Sequence, residues 1–138
     1  MERIKVLLIE DNPPDAVFIE EMLAEEKIIK FDIIWENGLA KGLKRLSEGG
    51  FDVILLDLML PDSIGGFYTF SKIQDEAQHI PIIVMTGFND ESFAENMIDI
   101  GAQGYLIKGK VDSNQLIRTI NNAIETKLAE KASPKNTK

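Results

Sequence analysis

The sequence predicts an α/β fold: one domain built on a parallel sheet with helices on both faces. Three observations predict it. Val53-Ile54-Leu55-Leu56 runs unbroken into Asp57. Alternation would mark a strand with one wet face, whereas a short continuous apolar run marks a strand covered on both. Four similar strand candidates accompany it, at Ile4 to Ile9, Phe31 to Trp35, Pro81 to Met85 and Gly104 to Ile107. Between them lie stretches with helical spacing, and strands alternating with helices through right-handed crossovers give βαβ units. The length of 138 residues suits a single domain with a core that needs no staples.

The first helix is expected to start at Asn12, a good N-cap, with Pro13 at the first helical position and Asp15 in the first turn, where negative charge suits the dipole. Val17, Phe18, Met22 and Leu23 are its expected apolar stripe. The second helix runs from about Leu39 to Ser47 with Leu39, Leu43 and Leu46 inward, and Gly49-Gly50 stops it. The third follows Gly65-Gly66 and should bury Phe67, Phe70 and Ile73. The fourth begins near Asn89 or Asp90 and carries Phe93, Met97 and Ile100, with Gly101 as its C′ residue. The fifth opens at Asp112 or Ser113, and Asp112 with Gln115 has capping-box spacing. Leu116, Ile117, Ile120, Ile124 and Leu128 form its stripe. The pattern places the domain at residues 1–128 and a polar C-terminal tail at 129–138.

The formal net charge is −8, which argues against a nucleic-acid surface, since that needs a basic footprint. The chain has no cysteine, so disulfides, thiol catalysis and Cys-ligated zinc are excluded. The apolar run at the N-terminus is too short for a signal peptide or a membrane span, and the expectation is a soluble, cytoplasmic protein without membrane contact.

In an open α/β sheet, ligands bind beyond the carboxyl ends of the strands. The residues just past those ends are Glu10-Asp11, Asp57, Thr86 and Lys108. Clustered carboxylates repel one another unless they are protonated or hold a cation, and oxygen ligands of this kind suit Mg²⁺ or Mn²⁺. A carboxylate can also be a nucleophile that forms an aspartyl phosphate, with cations around the transferred group. Lys108 would supply one cation and Thr86 a hydrogen bond, and no general base is needed.

These motifs fall in one order: Glu10-Asp11, then Leu55-Leu56-Asp57-Leu58-Met59-Leu60-Pro61-Asp62, then Met85-Thr86-Gly87, then Gly104-Tyr105-Leu106-Ile107-Lys108. Over residues 3–128 the chain resembles a response-regulator receiver domain of two-component signalling, the CheY-like superfamily. The resemblance implies the flavodoxin-like doubly wound (βα)5 fold with strand order 2-1-3-4-5, a topology for which a receiver protein is a standard example. It implies Asp57 as phosphoacceptor, with Asp11 on the metal directly, Glu10 through water, and the Met59 backbone carbonyl as a further ligand. Thr86 would bind the phosphoryl group and move on activation, Lys108 would pair with it, and Tyr105 would be the aromatic rotamer switch. The implied partners are a sensor histidine kinase or phosphotransfer protein and a downstream protein target or output domain. The resemblance also allows homodimers through the fourth helix, fifth strand and fifth helix, where Arg118 could pair with Glu95 or Asp99. Gly109 follows Lys108 where the family usually has proline, and glycine can turn that loop with φ > 0. Met59 and Phe88 are bulky at positions that influence phosphoryl lifetime in the family, where they would shield the phosphate from water.

Other readings are weaker. A phosphorylation-independent interaction (pseudo-receiver) module would not need the full acidic pair, Asp57, Thr86 and Lys108. A carboxylate-nucleophile hydrolase would place a second aspartate where Met59 stands. A flavin domain would want a Ser/Thr/Gly-rich phosphate loop where Glu10-Asp11-Asn12-Pro13-Pro14 stands. Tyr105 and Trp35 can also be read as packing residues, and His79, the only histidine, is assigned no role.

Overall fold

The structure, a computed structural model, describes residues 3–87 and 91–132. Strands and helices alternate as β1 (Arg3–Ile9), α1 (Pro13–Ala24), β2 (Lys30–Glu36), α2 (Leu39–Glu48), β3 (Val53–Asp57), α3 (Gly66–Glu76), β4 (Ile82–Thr86), α4 (Glu91–Asp99), β5 (Gly104–Ile107) and α5 (Ser113–Ala132). Every strand pairing is parallel, and the order is β2-β1-β3-β4-β5. Both the doubly wound architecture and its order are those expected from the sequence.

The sheet divides two cores. Ile4, Val6 and Leu8 of β1, Val53 and Leu55 of β3, and Ile83 and Met85 of β4 pack with α1 and α5 through Ile19, Leu23, Leu116 and Ile120. The alternate residues Leu7, Ile9, Ile54, Leu56, Ile82 and Val84 pack with α2, α3 and α4 through Leu46, Phe70, Ile73 and Met97. β3 and β4 are buried along their whole length, as unbroken apolar runs require.

The N-terminal signals of α1 and α5 act as read. Asn12 Oδ1 accepts the Asp15 N–H at 3.2 Å, and Asp112 Oδ1 accepts the Gln115 N–H at 2.8 Å. Gly101, with φ 120°, follows α4 and closes it through a hydrogen bond to the Ile98 carbonyl.

Four stripe assignments change. In α1 the inward residues are Ala16, Ile19, Met22 and Leu23, while Val17 and Phe18 are exposed. The small Ala16 takes the place against the sheet that bulk alone would have given to its neighbours. In α3, Thr69, Phe70 and Ile73 are buried and Phe67 is exposed. Thr69 tolerates burial because its hydroxyl donates to the Gly65 carbonyl at 2.8 Å. Ile100 lies past the end of α4 and is exposed. Leu128 is exposed because α5, at about 30 Å, outruns the short β5 of about 13 Å. The expected α4 cap at Asn89 or Asp90, and Phe88, lie outside the described residues.

Candidate functional site

The parallel ladder brings the chemistry-bearing residues to one edge and sorts them between its two faces. The Glu10 N–H donates to the Glu36 carbonyl at 3.0 Å and the Lys108 N–H to the Thr86 carbonyl at 2.8 Å. The ladder therefore continues one step beyond β1 and β5, and side-chain alternation continues with it. Glu10, Asp57 and Lys108 fall in phase with Leu8, Leu55 and Leu106, toward α1 and α5. Thr86 and Tyr105 fall in phase with Val84, toward α4, and Tyr105 pairs with Val84 across the sheet.

Asp57 is 3% exposed and Glu10 fully buried. Asp57 Oδ1 accepts the Met59 N–H at 3.0 Å, and Asp57 Oδ2 accepts from Lys108 Nζ at 3.1 Å. Lys108 Nζ also lies 2.7 Å from Glu10 Oε1 and 3.1 Å from Asp15 Oδ2. The contact with Glu10 is a close charge pair without hydrogen-bond alignment, since Oε1 lacks an aligned donor. Glu10 Oε2 accepts the Asn12 N–H at 3.1 Å. Thr86 is buried at the end of β4. Tyr105 is half-buried and meets the Phe93 ring edge-on at 6.2 Å, and Phe93 in turn meets Phe67 at 5.5 Å. Packing by Tyr105 is thus present on the α4 side.

The carboxylates respond to this crowding. Burial, reinforced by the neighbouring Asp57 carboxyl, pushes Glu10 up to about 7, against the pull of Lys108. Burial raises Asp11 from its ordinary value, again with help from Asp57. Burial also acts to raise Asp57, but hydrogen bonds from Glu10, the Met59 N–H and the Lys108 ammonium outweigh it and hold Asp57 below its usual value. Lys108 is pushed down by burial, yet its carboxylate neighbours win and raise it. The site therefore gathers more carboxylates than one ammonium balances, and Glu10, pushed up to about 7, is the one whose ionisation a cation would favour.

That donor set fits a hard divalent ion. One carboxylate oxygen each from Glu10, Asp11 and Asp57 lies within 4.8 Å of the others. Oxygens on opposite sides of Mg²⁺ stand about 4.2 Å apart, so a small contraction suffices. Buried Glu10 Oε1, without an aligned donor, is the kind of atom a cation satisfies.

Three residues around the site escape sequence reasoning. Asp15 reads as a helix-start residue yet reaches Lys108, 93 positions away. Trp35 donates its indole N–H to the Glu10 carbonyl at 2.7 Å, which ties β2 to the acidic loop. Asp62, in the segment after Asp57, accepts the Leu39 and Ala40 N–H groups at 2.7 and 3.0 Å and so caps α2. Only Asp62 had a sequence signal, its place in the motif that follows Asp57. At Gly109 the sequence reading holds: φ is 83°, and among the described residues no peptide bond is cis.

The family model described as "Response regulator receiver domain" matches residues 6–121. The swarming motility regulation protein RssB of Serratia marcescens is 32% identical over 105 residues, 76% of this chain and 46% of that protein. The response regulator ArlR of Staphylococcus saprophyticus is 36% identical over 104 residues, 75% of this chain and 45% of that protein. The sensor histidine kinase TmoS of Ectopseudomonas mendocina is 28% identical over 126 residues, 91% of this chain but 12% of that protein. The chain thus spans under half the length of these relatives. Among solved structures, a response regulator receiver domain protein from Clostridium thermocellum superposes with TM-score 0.77 at 26% identity, covering 91% of this chain and 98% of that one. No helix among the described residues is long and apolar enough to cross a membrane.

Proposed function

Because the chain belongs to the response regulator receiver domain family, we propose that Asp57 accepts a phosphoryl group from a phosphohistidine of a sensor kinase or phosphotransfer protein. The P–N bond to the imidazole breaks as an Asp57 Oδ–P bond forms, and the electron pair leaves with the imidazole nitrogen. Asp57 enters the reaction ionised, held so by the Met59 N–H and the Lys108 ammonium. Lys108 then turns a donor from Asp57 to a phosphoryl oxygen, and Thr86 offers its hydroxyl to another. Asp11, Asp57 and the Met59 carbonyl, with Glu10 through water, would hold Mg²⁺ or Mn²⁺. That ion neutralises charge on the phosphoryl oxygens when bound. Water later hydrolyses the aspartyl phosphate, so the domain is a signalling module with self-catalysed uptake and loss rather than an enzyme that releases a product.

On this reading Thr86 shifts toward the phosphoryl group and Tyr105 turns into the space it leaves. The face formed by α4, β5 and α5 then changes for a downstream target or output domain, or for a second copy of the chain. Its setting is cytoplasmic. The observation that carries the proposal is one carboxylate at the end of β3 meeting an ammonium at 3.1 Å beside two further carboxylates.

The test is intact mass after incubation with acetyl phosphate and Mg²⁺. The parent gains one phosphoryl group, and Asp57→Asn or added chelator abolishes the gain. A parent that gains nothing and binds no Mg²⁺ is instead a phosphorylation-independent interaction module on the same fold.

A further inference from the structure

Lys108 has three N–H donors, and three carboxylates surround its ammonium: Glu10, Asp57 and Asp15. Two of these, Glu10 and Asp57, belong to the acidic cluster that suits a cation. Asp15 does not. A divalent ion on that cluster draws both shared carboxylates to itself and repels the ammonium beside them. Lys108 sits on a flexible four-carbon stem, and Gly109 follows it with open backbone freedom. Asp15 is the contact the ion leaves in place. Its position is fixed independently of the cluster: it lies in the first turn of α1, and its own N–H is bound by Asn12 Oδ1 at 3.2 Å. Its side chain is 42% exposed, at the rim of the site rather than among the cation ligands.

We propose that Asp15 is a positioning residue that tethers the Lys108 ammonium at the phosphoryl pocket while a divalent ion occupies the Glu10–Asp11–Asp57 cluster. The inference rests on the metal reading above and deepens it. Without Asp15, the ion and the lysine become antagonists, and loading the metal drives Lys108 toward solvent. With Asp15, both cations stay, one on each side of the group to be transferred.

The experiment compares the parent, Asp15→Ala and Asp15→Asn by acetylating surface amines with and without Mg²⁺, reading Lys108 by mass spectrometry against the other lysines. Calorimetry reports Mg²⁺ binding separately. Without Mg²⁺, all three label Lys108 at the same slow rate, because Glu10 and Asp57 hold it. With Mg²⁺, Asp15→Ala labels about fivefold faster, the weight of one half-exposed ion pair. Asp15→Asn, which keeps a neutral acceptor, falls between. Phosphoryl uptake from acetyl phosphate slows in the same order. The Asn12 cap uses the backbone of residue 15, so thermal melts of the variants stay close to the parent's.

Faster uptake in both variants would mean that Asp15 only repels anionic donors, and would overturn the proposal. So would Lys108 labelling in Asp15→Ala that ignores Mg²⁺ while calorimetry shows the ion bound, an outcome that leaves the metal reading standing. A parent that binds no Mg²⁺ brings down both.

Discussion

Trp35 donates to the Glu10 carbonyl while the Glu36 carbonyl takes the Glu10 N–H, so the end of β2 grips the Glu10 peptide from both sides. That grip presents a buried carboxylate to the cluster. One hydrogen bond to a half-buried group is worth about 0.5–1.5 kcal/mol, so Trp35→Phe should weaken Mg²⁺ binding roughly two- to tenfold with the fold intact. Calorimetric titration measures it, and an unchanged affinity would reduce Trp35 to packing. Trp35 is the only tryptophan, so Mg²⁺ should also change the parent's intrinsic fluorescence. The residues legible in the sequence were those that end apolar strands: Glu10, Asp11, Asp57, Thr86 and Lys108 announce themselves where burial should stop. Trp35 and Asp15 act through partners far along the chain, and nothing local distinguishes them from a packing aromatic and a helix-start acid.

At the scale of elements, caps divide the same way. Asn12 and Asp112 cap their own helices and were readable. α2 begins at Gly38, which has no side chain to cap with, and Asp62 arrives from the loop between β3 and α3 to do so. A Cβ on Gly38 would stand 3.1 Å from Asp62 Oδ2, so glycine leaves room for the visiting carboxylate. Asp62→Ala should destabilise the protein by about 1 kcal/mol, as loss of an N-cap does, seen as a lower midpoint in urea unfolding. The Ala40 and Leu39 N–H groups hold Asp62 below its usual 3.8. A carboxylate depressed in the fold contributes its full stability above 3.8 and loses it as pH falls through the folded value. Between roughly pH 5 and pH 3 the parent should therefore lose more stability than Asp62→Asn. Equal losses would mean the cap is indifferent to its charge. The stripe errors in α1 and α3 have a similar origin: the buried positions Ala16 and Thr69 are small or polar, and apolar bulk is the signal that sequence reading follows.

Over the whole molecule, the sheet separates two apolar clusters that share strands but not faces. Fold class was legible because five apolar runs alternate with helical stretches and few topologies accept that pattern, whereas the strand order came from the resemblance carried by the motifs at the strand ends. The division of labour between the two faces was not, because it depends on how far the ladder continues past each strand. Ile73 on α3 and Ile120 on α5 are both fully buried, in different clusters. Each truncation to alanine should cost about 2–5 kcal/mol. In the double variant the two losses should add to within about 0.5 kcal/mol, measured by denaturant unfolding. A larger coupling would show the two cores responding as one.

The segment that follows Asp57 donates the Met59 N–H to the Asp57 carboxylate at one end and carries Asp62 at the other, so it touches the acidic site and holds the first turn of α2. The amide protons of Leu39 and Ala40 are shielded by Asp62 alone, not by a helical turn before them. They should trade for deuterium when that segment lifts, and two backbone amides on a neighbouring helix then serve as a clock for events at Asp57.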